Sequence, residues 1–264
     1  MRAACVALCG LICGLGTGAA WAQGSEWEGA VGLTARRSPN YLGSATSAWH
    51  LTPGLFLRYG RFSITTTGGF VTRRNDEVER GATAELLDAN DLRVTISART
   101  DGGRDAGTDP ALNGLPDVKP TIRLRLGAVQ KLPDGWRLSG GVSPDILGRH
   151  GGITADFGLG REWRLSPTLV WGLGVGGTWA DAQYMQSYFG ITPERSSASG
   201  HPAYRPSSGL RDVGWGATLR YDFHPRWIAI AGIGATRLEG PAAKSPLTTG
   251  RTSANVSAGL AWRF

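Results

Sequence analysis

Four histidines, His50, His150, His201 and His224, are the side chains best suited to proton transfer near neutral pH. Only His150 has suitable company. It sits in Gly148-Arg149-His150-Gly151 with Asp145 and Asp156 close in sequence, so a histidine–aspartate pair is conceivable. Hydrolysis would also need a nucleophile and an orienting group converging at one place. No serine stands in a nucleophile motif beside it, and no two histidines have metal-ligand spacing. The expected role of His150 is therefore a turn residue that holds loop backbone. The glycine-dense run Gly172 to Gly177 has no Lys-Ser/Thr ending and lies inside an alternating segment, which makes it a set of small inward residues rather than a phosphate loop. No enzyme, cofactor or metal is expected.

A second chemistry is carried by charge. Arg93, Arg123, Arg125, Arg137, Asp145, Asp156, Glu162, Arg220 and Asp222 all fall on the polar side of segments whose other side is apolar. An arginine facing lipid near the bilayer midplane costs about 2–4 kcal/mol, so this consistent placement predicts a polar interior. Such charges line a solute path biased toward anions, or pair with one another and fill a narrow interior. The paired network is the favoured expectation.

Those charges must be positioned by strands. In the C-terminal segment Ala254, Val256, Ala258, Leu260, Trp262 and Phe264 share one face, against Ser253, Asn255, Ser257, Gly259 and Arg263. From Asp212, the face of Val213, Trp215, Ala217, Leu219, Tyr221 and Phe223 opposes Gly214, Gly216, Thr218, Arg220 and Asp222. The pattern recurs around Leu92, Ile122, Trp136, Ile153 and Leu169. It is weaker at Trp27–Thr34, Trp49–Tyr59, Phe62–Thr72, Ala82–Leu87 and Trp227–Leu238. A soluble sandwich shares this period of two, but it would bury its bulky residues instead of pairing aromatic-ended faces with glycine and charge. The 40 glycines and 10 tryptophans suit a crowded barrel interior and two interfacial girdles.

Connections alternate in length. Short ones fall at Tyr59-Gly60, Asp88-Ala89-Asn90, Pro133-Asp134, Leu165-Ser166 and His224-Pro225. Longer ones cover Arg36–Thr46, Arg73–Arg80, Asp101–Val118, Gly148–Gly151, Ala182–Ser208 and Glu239–Arg251. Short turns belong to the periplasm and long loops to the outside. The count is about twelve strands, or ten if the two segments between Phe62 and Leu87 fail. The predicted fold is all-β: a closed antiparallel transmembrane β-barrel, with Phe264 ending the strand that closes it.

The rest of the composition agrees with export. Arg2, an apolar run from Ala3 to Leu15, and Ala20-Trp21-Ala22 predict a signal peptide over residues 1–22, leaving a barrel over 23–264. Cys5, Cys9 and Cys13 lie inside that leader, so the mature chain has no thiol, and the residues before them do not suit lipidation. The net charge of +7 is dispersed, with no Lys/Arg run longer than a pair. Nucleic acid is therefore not expected as a partner, and anionic lipopolysaccharide is.

The stretch Ala180 to Pro193, containing Tyr184-Met185-Gln186-Ser187-Tyr188-Phe189-Gly190, with Ser199-Gly200 and Ala203-Tyr204 beyond it, resembles the signature of the MipA/OmpV family. Further resemblance lies in Pro39–Ser44, Leu87-Asp88, His150-Gly151-Gly152 with Asp156, Arg237–Gly240, Lys244–Leu247 and Trp262-Arg263-Phe264; it spans nearly the whole mature chain. It departs at the charged insert Arg73–Arg80 and the glycine-rich loop Asp101–Gly114. The resemblance implies a barrel in the outer membrane of a Gram-negative cell. For the family's best-known member it also implies a scaffold joining a lytic transglycosylase to a penicillin-binding protein in murein synthesis; a narrow porin-like channel is the alternative. The signature aromatics serve either as an exposed binding cluster or as a plug packed into the barrel mouth. Trp262 and Phe264 form the kind of C-terminal strand that barrel-assembly machinery reads.

Overall fold

The computed structural model describes residues 27–67, 70, 72 and 80–264. The expected leader, 1–22, and Arg73 to Glu79 of the charged insert lie outside the described residues. Twelve strands run in chain order: β1 (Glu28–Pro39), β2 (Ser47–Tyr59), β3 (Phe62–Thr65), β4 (Gly81–Ala89), β5 (Leu92–Asp101), β6 (Thr121–Lys131), β7 (Trp136–Pro144), β8 (Ile153–Arg164), β9 (Leu169–Ala180), β10 (Gly209–His224), β11 (Trp227–Leu238) and β12 (Thr252–Arg263). Each pairs antiparallel with its chain neighbours, and β1 pairs with β12 to close the barrel.

Closure is what a spanning sheet needs, because an unpaired edge group in hydrocarbon costs several kcal/mol. At the seam Val31 stands opposite Trp262 and Arg37 opposite Val256. The ladder continues one residue past β12: Phe264 N–H donates to Gly29 O at 2.9 Å, and Gly29 N–H donates back to Phe264 O at 3.3 Å. The C-terminal residue is thus part of the closing pair.

Alternation sorts the faces. Leu51 is 71% exposed, Phe157 55% and Ile233 53%, while Phe56, on β2 with the opposite parity, is fully buried. In a closed barrel the exposed apolar set faces lipid. At the short-turn end this surface carries aromatic pairs: Trp27–Tyr59 at 5.0 Å, Trp163–Trp171 at 4.7 Å and Trp262–Phe264 at 5.3 Å between ring centroids. Arg161 lies over Trp136 and Trp163 there, as expected of a guanidinium at headgroup level.

One strand is shorter than its sequence pattern. The expected segment Phe62–Thr72 ends as strand at Thr65. The Thr66 hydroxyl accepts from Leu55 N–H and donates to Pro53 O, and Thr65 Oγ1 bonds Thr67 O, so side chains take over from the ladder. Pro53 has no N–H with which to extend pairing. Phe70 packs inside the barrel with Phe56, Ala30, Ala261 and Ile230, and the Thr72 hydroxyl reaches Glu28 at 2.6 Å at the periplasmic end. A Cβ on Gly54 would lie 2.1 Å from the Phe70 ring, so only glycine admits this packing.

Candidate functional site

The signature segment folds as helix α1 (Ala182–Phe189), with α2 (Pro193–Ser199) after it. Asp181 caps α1 by accepting from Tyr184 N–H at 2.7 Å, the bond an N-cap aspartate is suited to make. Along α1, Tyr184, Met185, Tyr188 and Phe189 are buried, at spacings that place them on one face. That face packs on Val118, Ala180, Leu238 and Ala242 at the extracellular mouth. The aromatic cluster is therefore a plug, not an exposed patch. Gln186 and Ser187 occupy the outer side, where the Ser187 hydroxyl donates to His150 O at 2.7 Å, and Gly190 ends the helix with its N–H on Gln186 O.

Polar bonds tie the plug to the barrel wall. Tyr188 Oη donates to Asp101 at 3.0 Å, and Arg211 donates to Tyr184 Oη at 2.7 Å. The Arg123 and Arg211 guanidinium groups each lie 5.2 Å from the Tyr184 ring centroid, stacked as cation–π partners. Above the plug the long loops form a second cluster of Tyr41, Leu112, Leu115, Ile191 and Leu247. Asp109 joins two of these loops, accepting from Ser44 Oγ at 2.9 Å, from Ala111 N–H at 3.0 Å and from the Thr46 hydroxyl.

Beneath the plug, the nine sequence-selected charges take two kinds of position. Arg93 pairs with Glu85 and Asp88, both at 3.2 Å. Arg123 pairs with Asp101 at 2.7 Å and also donates to the carbonyls of Ser143, Gly151 and Gly152. Arg125 pairs with Asp156, Arg137 with Glu162 at 2.8 Å, and Arg220 with Asp222 at 3.1 Å. These eight line the interior. Asp145 does something else: it lies just past β7, bridged in register to Arg123 at the barrel rim. Its carboxylate accepts from the N–H groups of Leu147, Arg149 and Gly151 and from the Thr121 hydroxyl, shaping the 145–152 loop.

Partial desolvation pushes the Asp145 pKa up, but the hydrogen bonds outweigh it and hold the group at about 2. A depressed folded value means that the contribution to stability is complete above the ordinary carboxylate range and fades as pH falls through about 2. Pepsin cleavage of the 145–152 loop should therefore be slow near pH 4 and accelerate toward pH 2. Asp145→Asn should remove that dependence; an identical pH profile in the variant would refute the anchoring role.

His150 adopts φ 63° in this loop, and its Nδ1 meets the Gln183 side-chain amide at 3.3 Å, a side-chain contact to α1 and not a bond to loop backbone. His201 meets Ala111 O and His224 meets Arg226 N–H, each a loop contact.

The interior retains space. A cavity of about 590 Å³ lies under α1, bordered by Arg99, Arg123, Arg125, Arg211 and Tyr184. A second, of about 580 Å³, runs along β7 to β11 between Arg137 and Thr236. Asp156 and Thr178 border both. The floor of the second is glycine in register: Gly158 faces Gly176, Gly176 faces Gly214, and Gly216 faces Gly234. At Gly176 a Cβ would come within 2.5 Å of Phe157 O, so the close approach of backbones there depends on glycine.

Sequence reasoning missed Arg211, Asp101 and Phe70. Strict alternation from Asp212 would send Arg211 toward lipid, but a register shift between Leu210 and Asp212 turns both residues inward, where they pair.

The family described as MltA-interacting protein MipA matches residues 31–264. No curated protein matches the chain significantly. Among solved structures it is similar to the KdgM porin, at 7% identity over 89% of this chain and 99% of that one with a TM-score of 0.43. It is also similar to an outer membrane channel from Pseudomonas putida F1, at 11% identity over 90% and 95% with a TM-score of 0.48. The Ralstonia pickettii toluene transporter TbuX gives 12% identity over 91% and 90% with a TM-score of 0.35.

Proposed function

This chain belongs to the MltA-interacting protein (MipA) family of outer-membrane barrels, and from that premise we propose that it is a non-enzymatic scaffold for murein-synthesising enzymes whose barrel is closed to solutes at rest. The observation that supports closure is the seating of α1: Met185 and Phe189 have no exposed surface in the extracellular mouth. Ion pairs beneath α1 and the Phe56–Phe70 cluster narrow what remains. A leader over residues 1–22 exports the chain, and assembly machinery reads Trp262 and Phe264. Lipopolysaccharide surrounds its outer half.

The partners in this reading are a lytic transglycosylase and a penicillin-binding protein. They meet the periplasmic side: the turns at Gly60-Arg61, Asn90-Asp91, Pro133–Gly135, Ser166–Thr168 and Pro225-Arg226, and the chain ends. Crosslinking in growing cells followed by purification of the barrel should recover murein enzymes. Insertion of a short polar tag into the Pro133–Gly135 turn should reduce that recovery while the barrel stays heat-modifiable. Recovery of no murein enzyme from crosslinked wild-type cells would sink the scaffold reading.

A narrow channel is the second reading, favoured by the two adjoining interior cavities. Purified barrel in planar bilayers separates the two. The scaffold reading expects a silent membrane; regular open steps lost on altering Arg123 and Arg125 would support the channel.

A further inference from the structure

A buried cation without a counter-ion lies in the extracellular loops, against the outer side of the plug helix. Gly103, at φ 71°, turns the chain after β5; a Cβ there would lie 1.9 Å from Val118 O. The turn sets Arg104 opposite Val118, with backbone bonds of 3.0 and 2.8 Å in the two directions. The Arg104 side chain is only 7% exposed. One of its nitrogens, Nη1, donates to Tyr188 O at 2.6 Å, while Nε is buried with no hydrogen-bond partner. Among the described residues no carboxylate lies within ion-pair distance of it.

That arrangement is costly as it stands. Every other buried arginine described above has an acidic partner, and a buried charge without one loses hydration that nothing returns. Burial accordingly lowers the Arg104 pKa, with only distant help from Asp117 and the tyrosines. Arg104 also forms part of the wall of a cavity of about 690 Å³ between the loops, which includes Lys119, Arg149, His150 and Arg195. Asp117 is the only carboxylate on that wall, and it is engaged by Ala106 N–H at 2.9 Å.

We propose that this loop cavity is a binding site for an anion of the cell exterior, a phosphate- or carboxylate-bearing group whose oxygens complete the hydrogen bonding of Arg104 while Lys119, Arg149 and Arg195 attract it. The hydroxyl and amide groups of Ser187, Thr192 and Gln186 on the same wall suit a hydroxylated carrier such as a sugar phosphate or sugar acid. Such a ligand would bridge the loops on either side of α1. Occupancy is therefore expected to hold the plug more firmly, independently of any murein partner.

Calorimetry on barrel refolded in detergent without lipopolysaccharide tests the site, with inorganic phosphate and glucuronate as probes and glucose as the neutral control at matched ionic strength. Both anions should bind and glucose should not. Arg104→Met should weaken binding at least about tenfold, equivalent to about 1.4 kcal/mol. Arg195→Gln, at the exposed rim, should weaken it less and steepen no other property. If Arg104→Met fails to give heat-modifiable barrel, the double variant Lys119→Gln, Arg149→Gln reads the same loss. Absence of anion binding to the wild type, or unchanged binding in these variants, overturns the site. Displacement of bound phosphate by added lipopolysaccharide would assign the anion to that lipid's phosphates. Failure to displace would assign it to a free solute, and either result upholds the site.

Discussion

Phe264→Asp should leave most of the exported chain unassembled, with the heat-modifiable folded band reduced at least about tenfold relative to wild type. Two effects act on the same residue. Its backbone supplies the last two hydrogen bonds of the β1–β12 seam, and its ring packs on Trp262 at the periplasmic girdle. The ring also covers Gly29, where a Cβ would come within 2.3 Å of it. An aspartate keeps the backbone bonds but places a charge among aromatic groups at the edge of the hydrocarbon, a cost of up to a few kcal/mol that depends on depth. It also removes the aromatic end of the alternating face formed by Val256, Leu260 and Trp262.

Phe264→Leu separates the two contributions. If packing at the seam governs, leucine should restore nearly normal yield in cells and in detergent refolding alike. If recognition during assembly governs, Phe264→Asp should refold well in detergent yet fail in cells. Normal heat-modifiable barrel in cells carrying Phe264→Asp would show that neither contribution matters.

The barrel itself was legible because alternation is a strong constraint: one face must meet lipid and the other must not. Segments such as Val213–Phe223 and Ala254–Phe264 leave no other assignment for their residues, and eight of the nine selected charges line the interior for this reason. Legibility failed where the period breaks. The shift before Asp212 turned Arg211 inward, and the threonine side chains after Thr65 ended a strand that its composition would continue. Asp145 keeps the alternation through its bridge to Arg123, but its carboxylate binds loop backbone at the rim, a role that the period does not reveal. Loops lack a period altogether. Nothing local distinguishes Arg104 from a solvated loop arginine; its burial comes from Val118 and Tyr188, distant in sequence. The signature stretch is recognisable by type, but whether its aromatics face outward or into the mouth depends on Val118, Leu238 and Ala242 arriving from distant parts of the chain.

That dependence makes the plug the most informative place to intervene. Phe189→Asp should convert a silent barrel into a conducting one, raising bilayer conductance at least about tenfold and admitting bulky antibiotics to the cell. Removing the buried ring costs about 3–5 kcal/mol through lost transfer energy and the cavity left behind, and a buried unpaired carboxylate adds to it. A docked surface helix has only local packing to oppose such a loss, so α1 is expected to leave the mouth before the barrel unfolds. With α1 displaced, the cavity beneath it would open outward, and Asp156 and Thr178 connect that cavity to the glycine-floored space along β8 to β11. The path would be lined by Arg99, Arg123, Arg125 and Arg211 against Asp101 and Asp156, so its current should favour anions. Protease sensitivity at α1 verifies displacement independently of current. If α1 becomes cleavable and the membrane stays silent, closure resides in the Arg125–Asp156 and Arg137–Glu162 pairs and the Phe70 cluster. The helix would then be a cover over a barrel that is filled in its own right, and the channel reading would lose its remaining support.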